Sequence, residues 1–142
     1  MKKKRFISQQ RIGVIAAILM ATAIGLAAIG SHIFDFHAES ERSSFDTAIY
    51  LLLANAAALL AMSARSSSSS NRIIEWSQIG IVVGSVLFSG SVISNLAGLS
   101  AFASLAPVGG LLMIFSWLAT AAGIARTSKR RRAKRRRPQR EV

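Results

Sequence analysis

From Trp76 to Ala125 the chain runs 50 residues without a charged side chain. One helix of that length would measure about 75 Å, more than twice the ~30 Å hydrocarbon core of a bilayer. The run must therefore hold two apolar segments and a turn. Gly98 closes a periodic stretch, and glycine suits a helix C-terminus. Pro107 lacks an N–H, which costs nothing in the first turn of a helix. These two residues predict a third span near 77–98 and a fourth near 105–125.

Upstream lie two shorter uncharged runs. Residues 12–31 would make about 30 Å of helix, the thickness of the hydrocarbon core. Residues 47–64 are near the short limit, but flanking polar residues can reach the interface. In lipid, a helix satisfies its own backbone within one segment. The expected fold class is therefore an all-α membrane protein. Four transmembrane helices, arranged as two antiparallel hairpins, would occupy 12–125. A basic cytoplasmic segment (1–11) would precede them, and a disordered basic cytoplasmic tail (126–142) would follow.

The charges that are absent from the spans collect beside them. Of the 18 Lys and Arg residues, only Arg42 falls in the first or third connection. Lys2, Lys3, Lys4, Arg5 and Arg11 precede the first span, Arg65 and Arg72 lie in the second connection, and the rest follow the fourth span. Basic residues near span ends stay in the cytoplasm, so both termini are expected inside. An even number of spans gives the same alternation. The first span has a basic start and small residues near its end, as a signal peptide does. Its apolar stretch exceeds the ~7–15 residues of a signal core, so it is read as a retained span.

The connections differ in kind. Arg65 and Arg72 enclose a serine run and Asn71, which reads as a short solvated loop. The first connection mixes Asp35, Glu39, Glu41 and Asp46 with Phe34, Phe36 and Phe45. Ser43 and Asp46 have capping-box spacing, which would start the second helix there. A solvated loop with aromatic anchors fits the same residues.

Candidate chemistry is sparse. With no cysteine, disulfides and thiol catalysis are excluded. No Ser-His-acid set is spaced for hydrolysis, and Gly109-Gly110 lacks the phosphate-loop pattern. His32 and His37 flank Asp35 near the expected outer interface, but the spacing matches no compact metal motif. His32 is read as an interfacial residue. No metal, cofactor or catalytic residue is expected.

Polar and small residues inside the spans are the remaining candidates. Asn55 and Asn95 are the in-membrane amides. Gly80, Gly84, Leu87, Ser91, Ser94 and Gly98 recur at helical spacing and share one face. Ser89, Gly90, Pro107, Gly109 and Gly110 complete the set of expected packing positions. Such small residues let helices approach closely. The tail carries Lys129, Arg130, Arg131, Arg132, Lys134, Arg135, Arg136 and Arg137. Each basic residue near an anionic leaflet contributes about 1 kcal/mol, so these are expected to contact anionic lipid. No aromatic is interleaved among them, which disfavours nucleic acid as the partner.

Four stretches resemble a known family. Ala28-Ile29-Gly30-Ser31-His32, Phe45-Asp46-Thr47-Ala48, Leu87-Phe88-Ser89-Gly90-Ser91 and Pro107-Val108-Gly109-Gly110, with Trp117 beyond, are similar to the YgdD-like small bacterial inner-membrane proteins, the domain of unknown function 423. The resemblance covers roughly 12–125 and implies four helices in an inner membrane, with no known activity. The family tends to have a Tyr-His pair where this chain has Ala54-Asn55, so a proton-handling role through that histidine is not carried over. A threonine expected before the proline is Ala106, and the basic tail is not a family feature. The functional expectation is a structural or accessory helix bundle, packed against a second copy or another membrane protein. A small oligomeric channel or transporter is the alternative.

Overall fold

Four helices, joined between the third and fourth by one short 3-10 turn, make up the chain in a computed structural model that describes residues 9–32, 36, 38–64 and 71–136. They are α1 (Gln9–His32), α2 (Glu39–Ala64), α3 (Arg72–Leu96) and α4 (Leu105–Arg136), with the turn at Ser100–Phe102. All four are long and apolar enough to cross a membrane. Helices adjacent in sequence pack on one another, most extensively α3 on α4.

The interior of this bundle mixes small and polar residues with large apolar ones such as Phe45, Leu52, Leu59 and Ile81, while many large apolar residues also face outward. Ala16, Ala23, Ala48 and Ala56 are fully buried, together with Ser85, Ser89 and Gln78. Ile18, Ile24, Val86, Ile114, Phe115 and Leu118 are exposed. Water-soluble domains expose far fewer large apolar side chains, because burial of such side chains drives their folding. Lipid is as apolar as leucine, so helix association in a membrane rests on close packing and interhelical hydrogen bonds. An apolar cluster of Ile12, Ala16, Leu59 and Ile81 joins α1, α2 and α3 at one end.

Several boundaries depart from expectation for local reasons. The second helix starts at Glu39, well before the Ser43–Asp46 box, and the carbonyl of Ala38 accepts from the amide of Arg42. Glu39 and Glu41 occupy its first turn, where carboxylates complement the helix dipole. The third helix starts at Arg72 rather than Ser77, because Asn71 caps it: the side chain accepts from the Ile73 amide at 3.1 Å. That shift brings Arg72 and Glu75 into a helix expected to be free of charge. At its far end the Leu99 amide reaches Ser94 O (2.9 Å) and the Gly98 amide reaches Asn95 O (3.0 Å). This double closure needs a left-handed residue, supplied by Gly98 at φ 83°. Pro107 sits in the first turn of α4.

The tail differs most. Residues 126–136, expected to be disordered, continue α4 as helix. Arginine and lysine are good helix formers, and a preformed span supplies the nucleus they would otherwise lack. The serine run at 66–70, His37, Asp35 and Arg137 lie outside the described residues.

Candidate functional site

The third helix carries two lanes of small and polar residues, each facing different neighbours. Gln78, Ile81, Ser85 and Ser89 recur at three- and four-residue steps and face α1 and α2. Gln78 pairs reciprocally with Gln9 of α1, amide to amide, at 3.2 and 3.3 Å. Ser85 accepts from Asn55 of α2, and the Ser89 hydroxyl donates to the carbonyl of Ala48 at 3.1 Å.

The second lane, Ser77, Gly80, Gly84 and Ser91, faces α4 and the turn before it. The Ser77 hydroxyl donates to Ile74 O and lies 2.9 Å from the Thr120 hydroxyl. A side chain at Gly80 would run into the Ser116 hydroxyl. At Gly84 a Cβ would stand 2.7 Å from Met113 Cγ and 2.9 Å from Gly109 O. At Gly109 it would stand 2.6 Å from the Phe88 amide nitrogen and 2.8 Å from Gly84 O. The two glycines therefore mark a crossing where backbone meets backbone. Ser91 donates to Phe102 O or Ala103 O, tying α3 to the 3-10 turn.

Asn55 is the node between the lanes. It is buried, and its amide nitrogen donates to Ser85 Oγ and to Met113 Sδ, both at 3.0 Å. Its oxygen accepts from Trp117 Nε1 at 3.1 Å. An indole only donates, so this contact fixes which way the carboxamide points. One side chain thus links α2, α3 and α4 with all its polar atoms engaged. Carboxamide, hydroxyl, thioether and indole do not ionise near neutral pH, so the node is suited to holding helices rather than to acid–base chemistry.

The remaining expected positions are scattered. Gly90 is exposed, and a Cβ there would meet nothing within 4 Å. Gly110 has only the Phe88 ring nearby, at 3.8 Å, and Pro107 is exposed. Neither Gly90 nor Gly110 is a close-packing site, because each lies off the lane that meets its neighbour. Asn95 is exposed beside a cavity of about 280 Å³, which Glu41, Ser44, Ser91 and Ala106 also line. His32 is exposed in the last turn of α1, where a basic group suits the helix dipole. Lys129 is exposed, and Arg130, Arg131, Arg132, Lys134, Arg135 and Arg136 belong to the last turns of α4. Among the described residues, no group of three or more His, Cys, Asp or Glu is placed to hold a metal.

Four participants escaped the sequence reading: Gln78, its partner Gln9, Met113 and buried Glu75. Two carried a signal. Gln78 is a polar residue within an apolar span, and Glu75 lies one turn before it on the same lane.

Residues 26–110 match the family model described as a protein of unknown function (DUF423). Comparison with curated proteins and with solved structures gives no match. The matched stretch runs from the last turns of α1 into the first turns of α4. It includes Asn55, both lanes of α3 and Gly109, and it covers more than half of the 142 residues. The chain belongs to the DUF423 family.

Proposed function

We propose that the chain is a multi-pass protein of a bacterial inner membrane, built as two antiparallel helix hairpins with both termini in the cytoplasm. In this reading it serves as a structural or accessory bundle and not as an enzyme. The observation that carries the role is the occupancy of both lanes of α3: polar groups between the helices are spent on other helices. A transport path would instead leave polar groups aimed at a cavity running along the bundle, whereas the cavity beside Asn95 lies at one end of it.

The hairpin arrangement is supported by paired ends. Gly13 near the start of α1 approaches Ser63 near the end of α2, while Gly30 approaches Phe45. Gly123, past the middle of α4, approaches Ile74 near the start of α3, while Gly109 in the first turns of α4 meets Gly84 farther along α3. Orientation is supported by the basic segments before α1 and at the end of α4. The lipid bilayer is one partner, with anionic lipid at the basic end. The others are a second copy or another membrane protein.

The experiment is purification in mild detergent at native expression, with crosslinking and mass spectrometry of associated proteins. A reproducible membrane partner is expected. A lone homo-oligomer would overturn the accessory role and direct attention to solute flux. Orientation has its own assay, because the chain has no cysteine to remove. Single cysteines at Ser40 and Ser104 should react with an impermeant maleimide from outside intact cells, and one at Ser128 should not. Labelling of Ser128→Cys from outside would refute the topology.

A further inference from the structure

An open groove of about 400 Å³ lies between Trp76 and Phe115 on the α3–α4 surface, with the small residues Ser77, Ser116 and Ala119 between them and Arg72 at its head. Two large aromatic side chains of one groove are partly exposed, Trp76 at 57% and Phe115 at 65%. The Ser77 hydroxyl is already engaged with Ile74 O and Thr120. What the groove offers an occupant is therefore an apolar slot.

The head of the groove is basic. Arg72 is exposed at the first position of α3. Asn71 Nδ2, one residue earlier, donates to Gly123 O at 2.9 Å and lies 3.3 Å from Thr127 Oγ1, which holds the start of α3 beside this part of α4. Along α4, Phe115, Ala119, Ala122 and Arg126 follow one another at steps of four, three and four. They form one helix face, so exposed Arg126 continues the wall that Phe115 begins. An apolar slot between two helices thus has Arg72 at its head and exposed Arg126 farther along the helix face that forms its α4 wall.

We propose that this groove seats one acyl chain of an anionic membrane phospholipid, with its phosphate held by Arg72 and Arg126. A guanidinium fits phosphate oxygens in pairs, and tryptophan favours the headgroup level where Trp76 would lie. The seat rests on the membrane reading above and narrows its lipid partner to one class and one place. It is separate from the diffuse attraction of the last basic turns of α4.

The test places the full chain in phosphatidylcholine nanodiscs that contain a minor fraction of phosphatidylglycerol, with one lipid or the other brominated on its acyl chains. Bromine quenches nearby indole fluorescence. The chain has 2 tryptophans, and subtracting the signal of a Trp76→Phe variant isolates Trp76. At equal mole fraction, brominated phosphatidylglycerol should be preferred over brominated phosphatidylcholine at Trp76 by roughly 25-fold, the product of two basic residues at about fivefold each. Arg72→Gln and Arg126→Gln should each reduce that preference by about fivefold, the factor set by about 1 kcal/mol per basic residue. Ala119→Phe, which fills the groove, should abolish it, and deletion of residues 130–142 should leave it in place.

Equal quenching by the two lipids would overturn the seat and leave the membrane reading standing. Absence of quenching by either would overturn both. A preference that survives both arginine changes but vanishes with the deletion would also overturn the seat and assign lipid selection to the end of α4. If the Trp76→Phe variant does not insert, native mass spectrometry of the wild type and of Arg72→Gln reads the same point. Retained phosphatidylglycerol that is equal in the two would refute the proposal.

Discussion

The contact between α3 and α4 and the contact between α1 and α2 solve the same problem with different materials. At the first, two backbones cross at Gly84 and Gly109, with Gly80 against Ser116 and Gly123 against Ile74 alongside. At the second, a glycine faces a side chain that can move: Gly30 lies against the Phe45 ring, and Gly13 lies 3.0 Å (as a Cβ) from Ser63 Oγ. A ring can rotate away from an added methyl group, but a peptide unit inside a hydrogen-bonded helix cannot. The α3–α4 crossing should therefore be intolerant of change, and the α1–α2 contact should be repairable.

That contrast is broken most directly at Gly84. Gly84→Leu should cost more than about 3 kcal/mol, the upper part of the usual overpacking range, and protein should fail to accumulate in membranes. Unchanged abundance and unchanged crosslinks would show that the crossing is not close. Met113→Ala should not rescue even Gly84→Ala, because Gly109 O remains 2.9 Å from the new Cβ.

Gly30→Ala should cost about 1–3 kcal/mol in a detergent unfolding assay. Adding Phe45→Leu should restore most of it, since the clash is with the ring alone. Failure of the second change to rescue would place the two interfaces in the same class. Next in size is the node that joins them. Asn55→Ala should cost about 1–2 kcal/mol, near the top of the ~0.6–1.7 kcal/mol measured for interhelical hydrogen bonds in membranes. A double-mutant cycle with Trp117→Phe should give coupling of about 0.5 kcal/mol or more, and additivity would mean that the indole contact is incidental. The smallest effect belongs to the glycines that touch nothing. Gly25→Ala and Gly90→Ala should fall within about 0.5 kcal/mol of wild type in the same assay.

The number and type of the helices were legible because they depend on the absence of charge over a length, which a single sequence displays. Their ends were less so. Asn71 caps through its side chain on the Ile73 amide and Ala38 through a carbonyl that the Glu41 and Arg42 amides share, and no periodicity records a cap. The small-residue face of α3 was readable from spacing, yet spacing cannot say which of two neighbouring lanes meets which helix. Gly90 belongs to the Ser-Gly-Ser stretch and still points to open space, while Ser89 and Ser91 on either side face different partners. The pairing of Asn55 with Met113 and Trp117 joins residues 58 and 62 positions apart, and such contacts leave no local trace.

The unbroken run of α4 through Arg136 has a mechanical consequence. Its 32 residues measure about 48 Å, so roughly a third of the rod stands clear of a ~30 Å core. A bilayer thinner than a span makes the helix tilt. One helix continues from the apolar segment into the basic turns, so tilt of the one carries the other. Bilayer thickness and the distance of the basic end from the headgroups become a single coordinate.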